Sequence, residues 1–166
     1  MFARYYVELP IHHERVERVL TDTPRAWLPG IATEANLHGD RLLAEVGVGE
    51  KVRIARDVTI DLGAPMRLPT KTIIPLRWTA TGVSGLFPSL DADLEIAPLG
   101  QDRCQLSMSA RYVPPLGSLG RAIDRTVLFR VAEATIKNFL DQIRDSIIRE
   151  VGLAYEGSTV RHSAGG

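Results

Sequence analysis

Residues 114–152 read PPLGSLGRAIDRTVLFRVAEATIKNFLDQIRDSIIREVG. The double proline stops whatever precedes it, the Gly/Ser run breaks the chain, and the longest uninterrupted helical pattern in the sequence begins there. Apolar residues fall at Leu119, Ile123, Val127, Leu128, Val131 and Ala132. They continue at Ile136, Phe139, Leu140, Ile143 and Ile147, which is the i, i+3, i+4 spacing of one helix face. The opposite face carries Arg125, Arg130, Glu133, Lys137, Asp141, Asp145 and Arg149, an ordinary solvated surface. Ser118 suits an N-cap, and Gly152 stands where a C-terminal left-handed residue is wanted. These limits predict a helix of about thirty residues, roughly 45 Å long. An apolar stripe of that length must be buried against something.

The chain upstream supplies the wall. Residues 2–9 alternate, with Ala3, Tyr5, Val7 and Leu9 in one phase and Arg4 and Glu8 in the other, the pattern of a half-buried strand. A short helix from about His12 to Thr21 comes next, then a corner over 22–30 rich in turn residues, holding Pro24, Trp27 and Pro29. From Ile31 to Tyr112 the pattern predicts strands and no helix, with turns at Gly39-Asp40, Gly49-Glu50, Gly63-Ala64-Pro65, Gly82 to Gly85 and Gly100-Gln101-Asp102. Alternation is clearest in three runs. Val52, Ile54, Val58, Ile60 and Leu62 oppose Arg53, Asp57 and Asp61. Leu90, Ala92, Leu94 and Ile96 oppose Asp91, Asp93 and Glu95. Cys104, Leu106, Met108, Ala110 and Tyr112 oppose Arg103, Gln105, Ser107 and Arg111. One sheet face is therefore apolar and the other wet. The expected fold is α+β: a curved antiparallel sheet wrapped around a long C-terminal helix, with short helices after the first strand. Where a curved sheet and a straight helix part, an apolar cavity opens.

The 166 residues suit one domain, read as 1–152, with residues 153–166 as a flexible tail. Twenty basic and twenty acidic residues cancel, so no electrostatic footprint for nucleic acid or an anionic membrane is expected. No stretch approaches the length of a membrane span, and Met1 to Tyr6 enters a strand pattern rather than a signal peptide. The single cysteine, Cys104, excludes an intrachain disulfide framework and points to a reducing cytoplasm.

Three stretches resemble one superfamily: VELPIHHERVERVLTDTPRAWLPG (7–30), LFPSLDADLEIAP (86–98) leading into CQLSMSARYVPP, and the terminal helix with Arg121, Asp124 and Asn138-Phe139-Leu140. They are similar to the START-like, Bet v 1-like or polyketide cyclase/dehydrase (SRPBCC) proteins, whose fold is the helix-grip. The resemblance spans about residues 2–150 and lies in pattern and order rather than in an invariant motif. It implies a hydrophobic pocket between helix and sheet, used across the superfamily for lipids, sterols, polyketides, plant hormones and quinones, and it carries no shared catalytic set.

The residues expected to line that pocket come from the apolar phases: Ile54, Arg56 and Val58; Ile74, Leu76 and Trp78; Leu94; Leu106, Met108 and Tyr112; and, from the helix, Leu128, Ala132 and Ile136. Arg56 shares the apolar phase of its strand, where an unpaired guanidinium is costly. An internal salt bridge, a bulge that turns it outward, and an anchor for a ligand's carboxylate or carbonyl all answer that cost. Several other residues invite a chemical role and have a plainer one. His13 and Glu17, one turn apart, lack a third metal ligand and read as charged surface. Asp91 and Asp93 share the wet face, Cys104 reads as a small buried hydrophobe, and Arg121, Arg125 and Arg130 read as solvated helix. The glycine pairs at 82–85 and 117–120 lack the phosphate-binding fingerprint. No catalytic residue, metal or cofactor is expected. The expected function is binding or carriage of a hydrophobic or amphipathic small molecule of lipid, polyketide or quinone class, by a monomer or weak homodimer. A cyclase/dehydratase-like enzyme and a protein-interaction module with a filled pocket are the alternatives.

Overall fold

The computed structural model describes residues 2–22, 24–43, 57–81, 89–112 and 124–163. The elements run β1 (Phe2–Leu9), α1 (His13–Asp22), α2 (Pro24–Leu43), β2 (Asp57–Leu62), β3 (Met66–Leu68), β4 (Lys71–Thr81), β5 (Ser89–Pro98), β6 (Cys104–Tyr112) and α3 (Arg125–Ser163). The strands form one antiparallel sheet in the order β1-β6-β5-β4-β2, with β3 extending the pairing of β4 beyond β2.

The α+β arrangement expected from the pattern is present, with the long C-terminal helix on a curved antiparallel sheet. Alternation fixes which face is which. Val58, Ile74, Leu76, Trp78, Leu94, Leu106 and Met108 are buried in one cluster with the stripe of α3 from Leu128 to Ile147. On the outer face the register places Asp61, Arg77, Asp91 and Arg111 in one cross-strand row of alternating sign. Pro75 sits inside β4, where a missing N–H would normally break a ladder. Here β2 ends at Leu62 and β3 begins at Met66, so Pro75 faces the connection between them, and its carbonyl accepts the Gly63 N–H at 2.8 Å. A Cβ at Gly63 would lie 3.1 Å from the Pro75 ring, which is why the position carries none. The turn at 100–102 is also as expected: Gly100 takes a φ of 99°, and Leu99 N–H donates to Arg103 O at 2.9 Å.

Two expectations are corrected. Residues 24–43, taken as a corner followed by a strand, form a twenty-residue helix that includes Gly39-Asp40. Leu28, Ile31, Ala32, Ala35 and Gly39 give that helix a buried stripe, which packs on α3 and β2. Pro24 occupies the first helical position, where its missing N–H costs nothing. Pro29, Gly30 and Gly39 read as breakers in isolation, and tertiary burial outweighs them.

The described part of α3 starts at Arg125. Its cap is Asp124, whose Oδ1 accepts the Thr126 N–H at 2.8 Å and whose carbonyl accepts from Leu128 at 3.1 Å. Ser118, with Leu119 and Ile123, lies outside the described residues. Nor does Gly152 end the helix, which continues to Ser163, 39 residues or about 58 Å in all. A lone glycine lowers helix propensity by about 1 kcal/mol and does not force a stop.

Candidate functional site

The concave face can be followed row by row across the strands. Ile60, Trp78, Leu90 and Tyr112 form one row. The next is Leu62, Leu76, Ala92, Ala110 and Ala3, and beyond it come Ile74, Leu94, Met108 and Tyr5. Opposite stands α3, with Leu128, Ala132 and Ile136 toward its start and Phe139 further along. Phe139 meets Trp78 edge to face, with ring centroids 5.3 Å apart and planes at 72°. Of the residues expected to line a pocket, all but Ile54 and Arg56 are buried members of this one cluster. Ile54 and Arg56 lie outside the described residues, as do the turns at Gly49-Glu50 and Gly82 to Gly85.

Polarity on this face is confined to a few groups. No Asp, Glu, Lys, Arg or His is among the buried described residues. The buried hydroxyl of Thr135 is satisfied within α3, donating to Val131 O at 2.8 Å. Trp78 and Tyr112 flank Leu90 in the first row and bring an indole N–H and a phenol to an otherwise aliphatic wall. Burial pushes the Tyr112 phenol up to about 12, and the carboxylate of Glu133 on α3 adds to the shift. At neutral pH Tyr112 is therefore a neutral hydroxyl. Cys104 lies on the same face toward the opposite end of β6, where burial pushes its thiol up to about 11 and leaves it unreactive.

The other sequence candidates separate from this site. Asp91 lies on the outer face, paired with Arg77 at 2.8 Å, and Asp93 lies beside Ser109. Arg125 and Arg130 are exposed on α3, and Arg121 lies outside the described residues. Glu17 corrects its expected role as solvated surface, since its side chain is only 13% exposed. It accepts from Arg67 Nε at 2.6 Å and from Thr72 Oγ1 at 2.8 Å, which ties α1 to the β3–β4 hairpin. Both Glu17 oxygens are engaged in this tether, and His13 lies one turn before it on α1. The two residues share the wall of an outer cleft of about 500 Å³. The sequence held no sign of this tether, because Glu17 and Thr72 are 55 residues apart.

No protein-family model matches the chain, and no curated protein matches it in sequence. Solved structures do match in shape. A conserved protein from Geobacillus kaustophilus superposes with a TM-score of 0.51 at 18% identity, over 90% of this chain and 96% of that one. A START superfamily protein from Mycobacterium smegmatis gives 0.48 at 14% identity, over 89% and 97%. The Zhui aromatase/cyclase from Streptomyces sp. R1128 gives 0.45 at 12% identity, over 91% and 95%. In this chain helices follow the first strand, antiparallel strands build one sheet, and the long final helix lies across its concave face. The chain has the helix-grip fold, a curved antiparallel sheet laid against a long C-terminal helix.

Proposed function

We propose that this protein binds a hydrophobic or amphipathic small molecule between α3 and the concave face, at the end of the sheet marked by Trp78 and Tyr112, and acts as a binder or carrier. The observation that carries the reading is the composition of that end. The row Ile60, Trp78, Leu90 and Tyr112 combines large apolar area with one phenol that stays neutral. Such a wall takes apolar bodies and orients them through one oxygen. Ile54 and Arg56, from the segment leading into β2, are proposed to complete the lining, with Arg56 as an anchor for an acidic head group. A fold of this kind in a lone-cysteine chain fits a reducing cytoplasm. Among the described residues no helix is long and apolar enough to cross a membrane.

The same phenol supports a second reading. A neutral Tyr112 beside Glu133 would donate to the carbonyl of a reactive chain and stabilise charge developing on its oxygen, which is cyclase-like chemistry. The two readings part experimentally. Native mass spectrometry of freshly purified protein, with subsequent titration by fatty-acid, quinone and aromatic polyketide probes, should reveal a retained or added small molecule. Recovery of the probe unchanged supports a carrier, and recovery of a cyclised or dehydrated product supports the enzyme. Indifference to every probe, in binding and in melting temperature, would overturn both and leave the filled-pocket interaction module.

A further inference from the structure

β1 closes one end of the sheet order, and among the described residues only its β6 side is paired. The free side of an edge strand presents amides and carbonyls to any strand that approaches. α3 runs close by but does not seal it. A cleft of about 360 Å³ is lined by Ala3, Arg4 and Tyr5 on one side and by Arg130, Glu133 and Lys137 of the helix on the other, with Lys137 Nζ 5.3 Å over the Tyr5 ring. The outer side chains of β1 are Phe2, Arg4, Tyr6 and Glu8. Phe2 at 56% and Tyr6 at 60% are more exposed than any other large apolar residue described, Met66 being next at 49%.

The charges on this strand are self-complementary. Two copies of β1 joined antiparallel about a two-fold axis place residue i opposite residue j with a constant, even sum, because opposed residues share a face. With Tyr6 on the axis, Arg4 of each copy faces Glu8 of the other, and the two Tyr6 rings meet between the pairs. A register centred on Arg4 opposes the two guanidiniums, and one centred on Glu8 opposes the two carboxylates. Centring on Tyr5 or Val7 leaves both charges without an opposite. Glu8 also binds Arg103, and Arg4 lies 3.8 Å from Glu95. Their side chains nevertheless remain 49% and 55% exposed, with a side free for a second partner.

We infer that the free edge of β1 is the contact between two copies of this chain, paired antiparallel about Tyr6 so that their sheets run on into one. This holds whether or not the concave face beneath α3 takes a ligand. One short strand pair buries less than a standard interface, so the dimer should be weak and concentration-dependent. Sedimentation velocity over about 5 to 500 µM should show monomer giving way to dimer by mass action. Arg4→Glu and Glu8→Arg each create two like-charge contacts and should weaken dimerisation at least tenfold. An equimolar mixture of these two variants pairs acids with bases again and should recover the dimer, as should the double swap Arg4→Glu/Glu8→Arg. Tyr6→Cys supplies a test independent of charge. On the axis its Cα atoms would lie about 4.5–5.5 Å apart, within disulfide reach, so mild oxidation should link the copies, whereas Phe2→Cys should stay unlinked. A parent chain that stays monomeric throughout, single charge variants that dimerise like the parent, a mixture that does not recover, or equal linking at both cysteines would each overturn the proposal.

Discussion

Replacing Phe139 by alanine tests whether α3 is a packed wall or merely lies alongside the sheet. Phe139 is fully buried and meets Trp78 edge-on at 5.3 Å. A phenylalanine side chain carries roughly 200 Å² of apolar surface, and at about 25 cal/mol per Å² its removal forfeits at most about 5 kcal/mol. Measured truncations of buried Phe fall at about 3–5 kcal/mol, because the cavity left behind only partly collapses. In a domain of this size each kcal/mol moves the melting temperature by roughly 2–4 °C, so the variant should melt roughly 6–20 °C below the parent. Arg149→Ala, at an exposed position of the same helix, should cost less than about 0.5 kcal/mol. Equilibrium urea denaturation of both variants decides the matter. A loss below about 1 kcal/mol for Phe139→Ala, or equal losses for the two, would refute the packing of α3 on the concave face.

Gly63→Ala should destabilise by about 1–3 kcal/mol, since its Cβ would meet the Pro75 ring at 3.1–3.4 Å, and a thermal melt matching the parent would deny that close approach. Glu17→Ala should cost about 1–3 kcal/mol by stripping Thr72 Oγ1 of its acceptor. Glu17→Gln, which loses mainly the ion pair to a two-thirds exposed Arg67, should cost less, with amide exchange at the β3–β4 hairpin as the readout. In a spectrophotometric pH titration one tyrosine step should appear near 12, and Tyr112→Phe should remove it. The unfolded phenol ionises near 10 and the folded one near 12, so this group's contribution to stability is intact below pH 10 and lost as pH climbs between those values.

How much of this was legible in the chain depends on the range of each interaction. Alternation in β5 and β6 and the stripe of α3 are local periodicities, and burial falls on the residues they mark, from Leu90 to Tyr112 and from Leu128 to Ile147. The α+β class and the apolar concave face come from those patterns, because a one-sided sheet and a one-sided helix have few ways to hide from water. The turns at Gly63 and Gly100 were legible for a similar reason, since each answers to a local backbone demand. α2 was not. Its prolines and glycines signal breaks, and only the packing of Leu28, Ala32 and Ala35 on α3 and β2 makes a helix the better outcome for residues 24–43. The cap at Asp124 and the passage of α3 through Gly152 were likewise settled by contacts and continuity that propensity does not rank. Least legible were the pairings distant in sequence. The clamp of Glu17 on Thr72, the ring of Phe139 on Trp78 and the carboxylate of Glu133 near Tyr112 each join segments that no local period relates. Alternation alone marks the apolar wall, while the polar group set beside it depends on how the strands register and where the helix crosses them.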